Sequence, residues 1–227
     1  MATENVSKWG YARVTGQSSH AAARGASTGQ ALTNPSGDVG VSFAYQATSS
    51  GRGLAYAIYR SFLYFDTSGI TGTVTAASVN VTGVTNGGSR AILVPSDAFS
   101  GDGSTNLAGS EFGDVSFNTN YHSSISSWST SGNNVLTLNS TALSDIQNND
   151  FFICAIIQYD NDYLNVDIGG RGGTINFGIA WGTTPYLDYT ETSTGINIDS
   201  VSGVTKANIN TINTIAFGTI SELSGVS

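Results

Sequence analysis

The sequence predicts an all-β fold, a single jelly-roll-like β-sandwich, on three observations. Short runs rich in aromatic and β-branched residues recur through the middle of the chain, separated by Gly, Asn, Asp and Ser clusters. Two of these runs, Leu54 to Asp66 and Phe151 to Tyr159, are apolar on both alternating faces, as strands covered on both sides are. Only one segment of the body, Ser140 to Asn148, combines a capping residue with helical spacing.

The elements follow in order. Residues 1–37 are small and polar, with Trp9 and Tyr11 the only large side chains, and read as an extended N-terminal arm; its two aromatics are the anchors if it docks on a partner, or else fold back onto the sandwich. A short helix around Ser19 to Arg24 fits within it. Val41 to Ala47 opens the body, residues 38–192, as a strand. Leu54 to Asp66 is the central strand. One face carries Tyr59, Leu63 and Phe65, the other Ile58, Phe62 and Tyr64. A straight strand of this length spans roughly 40 Å, so a bend or bulge is expected partway. Arg60, among large apolar neighbours, is expected to pack its stem and pair its guanidinium with a carboxylate or carbonyls.

Thr73 to Thr82 is the next strand, with Ala77, Val79 and Val81 on one face, and Asn86-Gly87-Gly88 is a turn. Arg90 to Val94 is a short strand closed by Pro95. Ser96 to Val115 is a long Gly- and Asp-rich loop, a feature that in compact domains often carries function. Tyr121 to Trp128 and Asn134 to Asn139 read as strands. In the helix Ser140 to Asn148, Ser140 or Thr141 is the expected cap, and Leu143 and Ile146 face the core. Phe151 to Tyr159 is the second strand buried on both faces. Thr174 to Trp181 places Ile175, Phe177, Ile179 and Trp181 on one face, and Pro185 to Thr190 closes the body. That makes nine strands and one helix.

Composition narrows the function classes. With 39% apolar and 11% charged residues the chain has a core and is no disordered polyampholyte. The net charge of −8 is uneven: residues 1–60 hold five basic against two acidic residues, and the remainder three against 14. An acidic body argues against nucleic acid as the main partner. The single cysteine, Cys154, excludes an internal disulfide and reads as a small buried hydrophobe. No run reaches the roughly 18 apolar residues of a membrane span. Met1 to Gly10 has no apolar stretch after a basic start, so synthesis in the cytoplasm without a signal peptide is expected.

Arg60-Ser61-Phe62-Leu63-Tyr64-Phe65-Asp66-Thr67-Ser68-Gly69-Ile70 resembles the R-x-F-L-x-F-D-x-S-x-I signature of DNRLRE-type domains. Thr75 to Val81, Asn134 to Asn139, Tyr159-Asp160 and Pro185 to Tyr189 are similar to later landmarks of that family, with Ser78 and Val79 where Thr and Leu are common. The resemblance covers residues 38–190 and implies a β-sandwich similar to carbohydrate-binding modules.

The tail, residues 193–227, repeats every 11 residues. Ile198, Ile209 and Ile220 align, as do Val201, Ile212 and Leu223, and Val204, Ile215 and Val226. The apolar spacing fits a helix stripe poorly, and Ile, Val, Thr, Asn and Gly are weak helix formers, so short extended segments with turns are expected. So few repeats cannot bury their own apolar face, which makes the aligned positions an expected interface. Ser200 to Ile209 resembles the I-N-G-V-x-x-A-N-I repeats near the C-termini of tailed-bacteriophage virion proteins, with Ser202 where the first Asn usually stands.

Few residues suggest chemistry. Asp160, Asp162 and Asp167 crowd one loop and are the candidate ligands of a structural Ca²⁺; Asp97, Asp102, Asn106, Glu111 and Asp114 form a second acidic cluster. Asx residues are also ordinary turn formers. Trp128 and Tyr163 are candidate platforms for stacking on a glycan, or else core residues. His20 and His122 form no metal-binding pair, and neither a G-x-S-x-G elbow nor a P-loop is present, so no catalytic residue is assigned and the chain is read as non-enzymatic.

Together the arm, the sandwich and the repeat tail suggest a structural protein on the virion surface of a tailed bacteriophage, a head decoration, head fibre or tail appendage. Its expected partners are capsid or tail subunits and copies of itself in cyclic symmetry, such as a trimer. The alternative is a carbohydrate-binding module for host or environmental glycans.

Overall fold

A computed structural model describes residues 1–34, 41–50, 53–86, 90–125, 127–167, 173–179, 183–192, 200–201 and 204–205; residues 41–50, 53–54, 85–86, 173–178 and the tail positions are described by their backbone alone. The contacts divide the chain into two units, Met1–Thr192 and Ser193–Ser227.

The first unit is an all-β sandwich of antiparallel strands, organised around β5 (Gly53–Asp66). Along one edge β5 pairs with β2 (Lys8–Gln17). Along the other it pairs in succession with β4 (Val41–Ser50) and β10 (Phe151–Gln158). β3 (Gln30–Thr33) extends the sheet beyond β2; β7 (Ala91–Pro95) and β8 (His122–Ile125) extend it beyond β10. The second sheet holds β1 (Ala2–Asn5), β12 (Tyr186–Thr192), β6 (Thr73–Asn86) and β9 (Asn133–Thr137). β6 joins the layers: up to Thr82 it pairs with β9 and β12, and from Gly83 it pairs with β11 (Gly173–Ile179), which in turn pairs with β4. A bulge lies not in the central strand, as expected, but in its neighbour. The register shifts between Val14 and Gln17 of β2, where Gly16 has φ +70°.

Alternation on β5 splits its side chains between two cores, as the sequence predicts. Leu63 and Phe65 face the second sheet and pack with Val79, Leu136, Cys154 and Leu187. Ile58 and Phe62 face outward and pack with Val94, Ile153, Phe99 and Phe112. Each such side chain, fully buried, contributes about 1.5–3 kcal/mol of transfer free energy. The outer core exists because residues 96–117 cover the sheet. They form two 3-10 turns, Phe99–Gly101 and Gly109–Gly113. Buried Glu111 ties these turns together, accepting from the Ser100 N–H and the Ala108 N–H, both at 2.7 Å. The Lys8 ammonium donates to the carbonyls of Gly103 and Thr105, clipping the same loop to β2.

The nine strands expected in the body correspond to β4–β12, and residues 1–34 require a correction. They are no extended arm. β1, β2, β3 and α1 (His20–Arg24) are built into the sandwich, β1 against β12 and β2 against the central strand. The short helix is where it was expected, capped by the Ser19 hydroxyl accepting from the Ala22 N–H at 3.1 Å. The body helix, α2 (Ser140–Asn148), is capped by Asn139 rather than Ser140 or Thr141; its Oδ1 accepts from the Ala142 N–H at 3.1 Å. Ile146 is buried, and Leu143 packs against the core at its edge. Of the alternating face of β11, Ile179 is fully buried, whereas Trp181 and the turn residues Gly87 and Gly88 lie outside the described residues.

Gly83 makes the change of sheet possible. A Cβ there would lie 1.9 Å from the Ser129 carbonyl oxygen and 2.5 Å from Trp128 Nε1. Gly83→Ala is therefore expected to destabilise the fold by roughly 1–3 kcal/mol in urea denaturation. Gly69→Ala, whose added methyl meets nothing within 4 Å, is expected to be near neutral.

Cys154 is fully buried in the inner core, and burial pushes its thiol well above the ordinary range. It is expected to resist a colorimetric thiol reagent in the native protein and to react promptly in urea. The raised pKa means its contribution to stability is complete below the ordinary thiol pKa and declines as pH rises above it.

Candidate functional site

The densest polar arrangement lies in the outer core, at Arg60. β5 points this side chain outward between Ile58 and Phe62, and it is fully buried. A buried guanidinium needs a partner for each donor edge. Arg60 Nε donates to Asp162 Oδ2 at 2.8 Å and Nη2 to Asp162 Oδ1 at 2.7 Å, a bidentate pair. Nη1 donates to the Phe112 carbonyl at 2.7 Å, and Nη2 also to the Arg24 carbonyl at 3.0 Å. The guanidinium carbon lies 4.1 Å from the centre of the Phe112 ring. The sequence expectation for Arg60 is met in every part.

Asp162 reaches Arg60 because β10 ends in a single π-turn, Tyr159–Tyr163. The Gln158 side-chain oxygen accepts from the N–H groups of Asn161 and Asp162 and holds the turn. Arg24 and His20 of α1 donate to the carbonyls of Asp162 and Asn161. One side chain on the central strand thus ties together α1, the long loop and the π-turn. Its chemistry is structural, with every Arg60 nitrogen committed.

The candidate Ca²⁺ ligands do not converge. Asp162 is held by Arg60, Asp160 forms an ion pair with Arg90, and Asp167 is exposed. Among the described residues no group of three or more His, Cys, Asp or Glu side chains is placed to hold a metal ion. The two candidate glycan platforms separate as well. Trp128 is 5% exposed and belongs to the inner core, which leaves no ring face for a sugar. Tyr163 is half-buried and stacks on Tyr159 at 5.8 Å between centroids, with Arg90 over the Tyr159 ring. Trp9 and Tyr11 sit on β2 and pack against the inner core of their own chain, so neither anchors a detached arm.

In the second unit, β13 (Ser200–Val201) and β14 (Val204–Thr205) pair antiparallel, with Val201 opposite Val204 in the backbone register. The described part of the repeat is thus paired extended backbone, in keeping with the short extended segments expected. Ile198, Ile209, Ile212, Ile215, Ile220 and Leu223 lie outside the described residues.

The long loop and part of its acidic cluster border one further surface of the first unit. Two clefts, of about 370 and about 240 Å³, share the segment Pro95 to Asp97. Phe151 and Tyr121 line one and Asp114 the other, with Asp145 beside Tyr121. The Ser96–Val115 bridge brings Asp97 next to Asp114. Burial, with the charges of Glu111 and Asp97, raises the Asp114 carboxyl above the usual carboxylate range.

No protein-family model matches this chain, and no curated protein matches it significantly. Among the described residues no helix is long and apolar enough to cross a membrane.

Proposed function

We propose that this chain is a non-enzymatic structural subunit of a tailed-bacteriophage virion, displaying the sandwich and assembling through residues 193–227. The observation that carries the reading is the 11-residue apolar repeat, confined to a unit separate from the sandwich by its contacts. The sandwich closes its own two cores. The repeat has too few residues to do the same, so copies of the tail, or a subunit of the particle, complete it. The resemblance of Ser200 to Ile209 to virion-protein repeats supports a tailed-phage particle as the site of assembly. The commitment of Arg60, Asp160 and Asp162 to ion pairs supports a structural role for the sandwich.

The test is mass spectrometry of purified particles from a host in which the gene is carried by a phage. The proposal expects the chain at a fixed copy number relative to the major capsid protein, and loss of the chain from particles when residues 193–227 are deleted. Particles that form without any trace of it contradict the proposal.

A second reading, glycan binding, is favoured by the half-exposed Tyr163–Tyr159 stack beside Leu164, which is 47% exposed. It expects binding on a glycan array that is lost in Tyr163→Ala.

A further inference from the structure

We infer that the double cleft at Pro95 to Asp97 is a docking groove for a basic peptide segment of a partner protein, one that presents Lys or Arg beside an apolar residue. The inference is independent of the virion reading.

Charge complementarity selects the occupant. Asp97, Asp114 and Asp145 line the two clefts, no Lys, Arg or His does, and no ion pair among the described residues engages these three carboxylates. The ion pairs among the described residues lie elsewhere: Asp162 with Arg60 and Arg24, Asp160 with Arg90. Here two carboxylates instead stand side by side across an antiparallel bridge, an arrangement that costs stability in the free protein. A cation seated between them removes that cost, so binding is favoured by relief as well as by attraction.

The walls select more than a point charge. Pro95, Tyr121 and Phe151 line the larger cleft and give apolar contact to the methylene stem of Lys or Arg and to a neighbouring apolar side chain. The Tyr121 hydroxyl donates to Asp145, which fixes that carboxylate at the wall. About 370 Å³ lies within the range of pockets that enclose small ligands, large enough for one long side chain and part of a second. The groove edge is firm, because the Ser96 hydroxyl donates to the Asp114 carbonyl and the Ser116 N–H to the Pro95 carbonyl.

The experiment is a titration of the full-length, ¹⁵N-labelled protein, followed by amide shifts. The probe is an end-capped peptide alternating leucine with lysine and arginine; the control carries glutamine in place of the basic residues. The inference expects saturable shifts at Gly101, Gly113 and the amides of Asp97, Asp114 and Asp145 with the basic peptide only. Affinity is expected to fall about tenfold between about 50 and about 300 mM salt. Asp97→Asn with Asp114→Asn is expected to weaken binding at least about tenfold while leaving the sandwich folded, since it removes a repulsion. Equal binding of the neutral peptide, shifts confined to other surfaces, or no shifts overturn the inference. So does a response of the same amides to Ca²⁺ but not to the peptide, which makes the groove a metal site.

Discussion

Replacing Asp162 with alanine is expected to destabilise the sandwich by about 3–5 kcal/mol, because it strands the Arg60 guanidinium in the outer core without its counter-charge. Neither member of the pair is exposed to solvent, so water cannot take over. The loss also spreads, since Arg60 holds the Phe112 and Arg24 carbonyls. Urea denaturation measures the free-energy change, and limited proteolysis is expected to cut residues 96–117 first. Arg60→Met with Asp162→Leu is expected to recover part of the loss, because two apolar side chains replace two buried charges. Recovery is incomplete, as both carbonyls lose their donors. An Asp162→Ala protein as stable as the parent contradicts the structural role of the pair.

The second large effect belongs to the tail. On the proposed assembly through residues 193–227, a charged substitution at the middle repeat, Ile212→Asp, is expected to abolish oligomer formation while leaving the sandwich unchanged within about 0.5 kcal/mol. Burying an isoleucine at an interface is worth about 1.5–3 kcal/mol, and in the proposed symmetric assembly the substitution would act once in every copy. Sedimentation velocity reads the dissociation and thermal melting the intact body. Gln30→Asp, an exposed position on β3, is the control and is expected to leave assembly intact.

Strands β4–β12 were legible because their alternating positions carry large apolar side chains, as in Phe62, Leu63, Val79 and Ile156. β2 was not, because its outward-facing buried positions are Gly10, Ala12 and Val14. Close packing requires them to be small: a Cβ at Gly10 would meet the Leu32 carbonyl oxygen at 2.3 Å and Leu107 at 2.9 Å. Small residues that mark a tight interior thus resembled those of an unpacked arm. Arg60 announced its need for a partner, and its apolar context carried that signal. The identity of the partner did not show, because Asp162 lies 102 positions away and arrives through a π-turn. One clue was available in principle. The β5–β10 register places the residue after Ile156 beside Arg60, so an acidic turn shortly beyond falls within reach. The acidic groove was legible in part: Asp97 and Asp114 stand in one acidic cluster of the long loop, but Asp145, Tyr121 and Phe151 come from separate stretches that only the fold brings to it.

The most direct test of the proposed assembly role is the solution mass, by multi-angle light scattering, of the full chain and of a version ending at Thr192. A full chain that is a trimer or larger ring, and a monomeric, folded truncation, is the expected result. Monomers in both cases, or an oligomer that survives the truncation, contradict it.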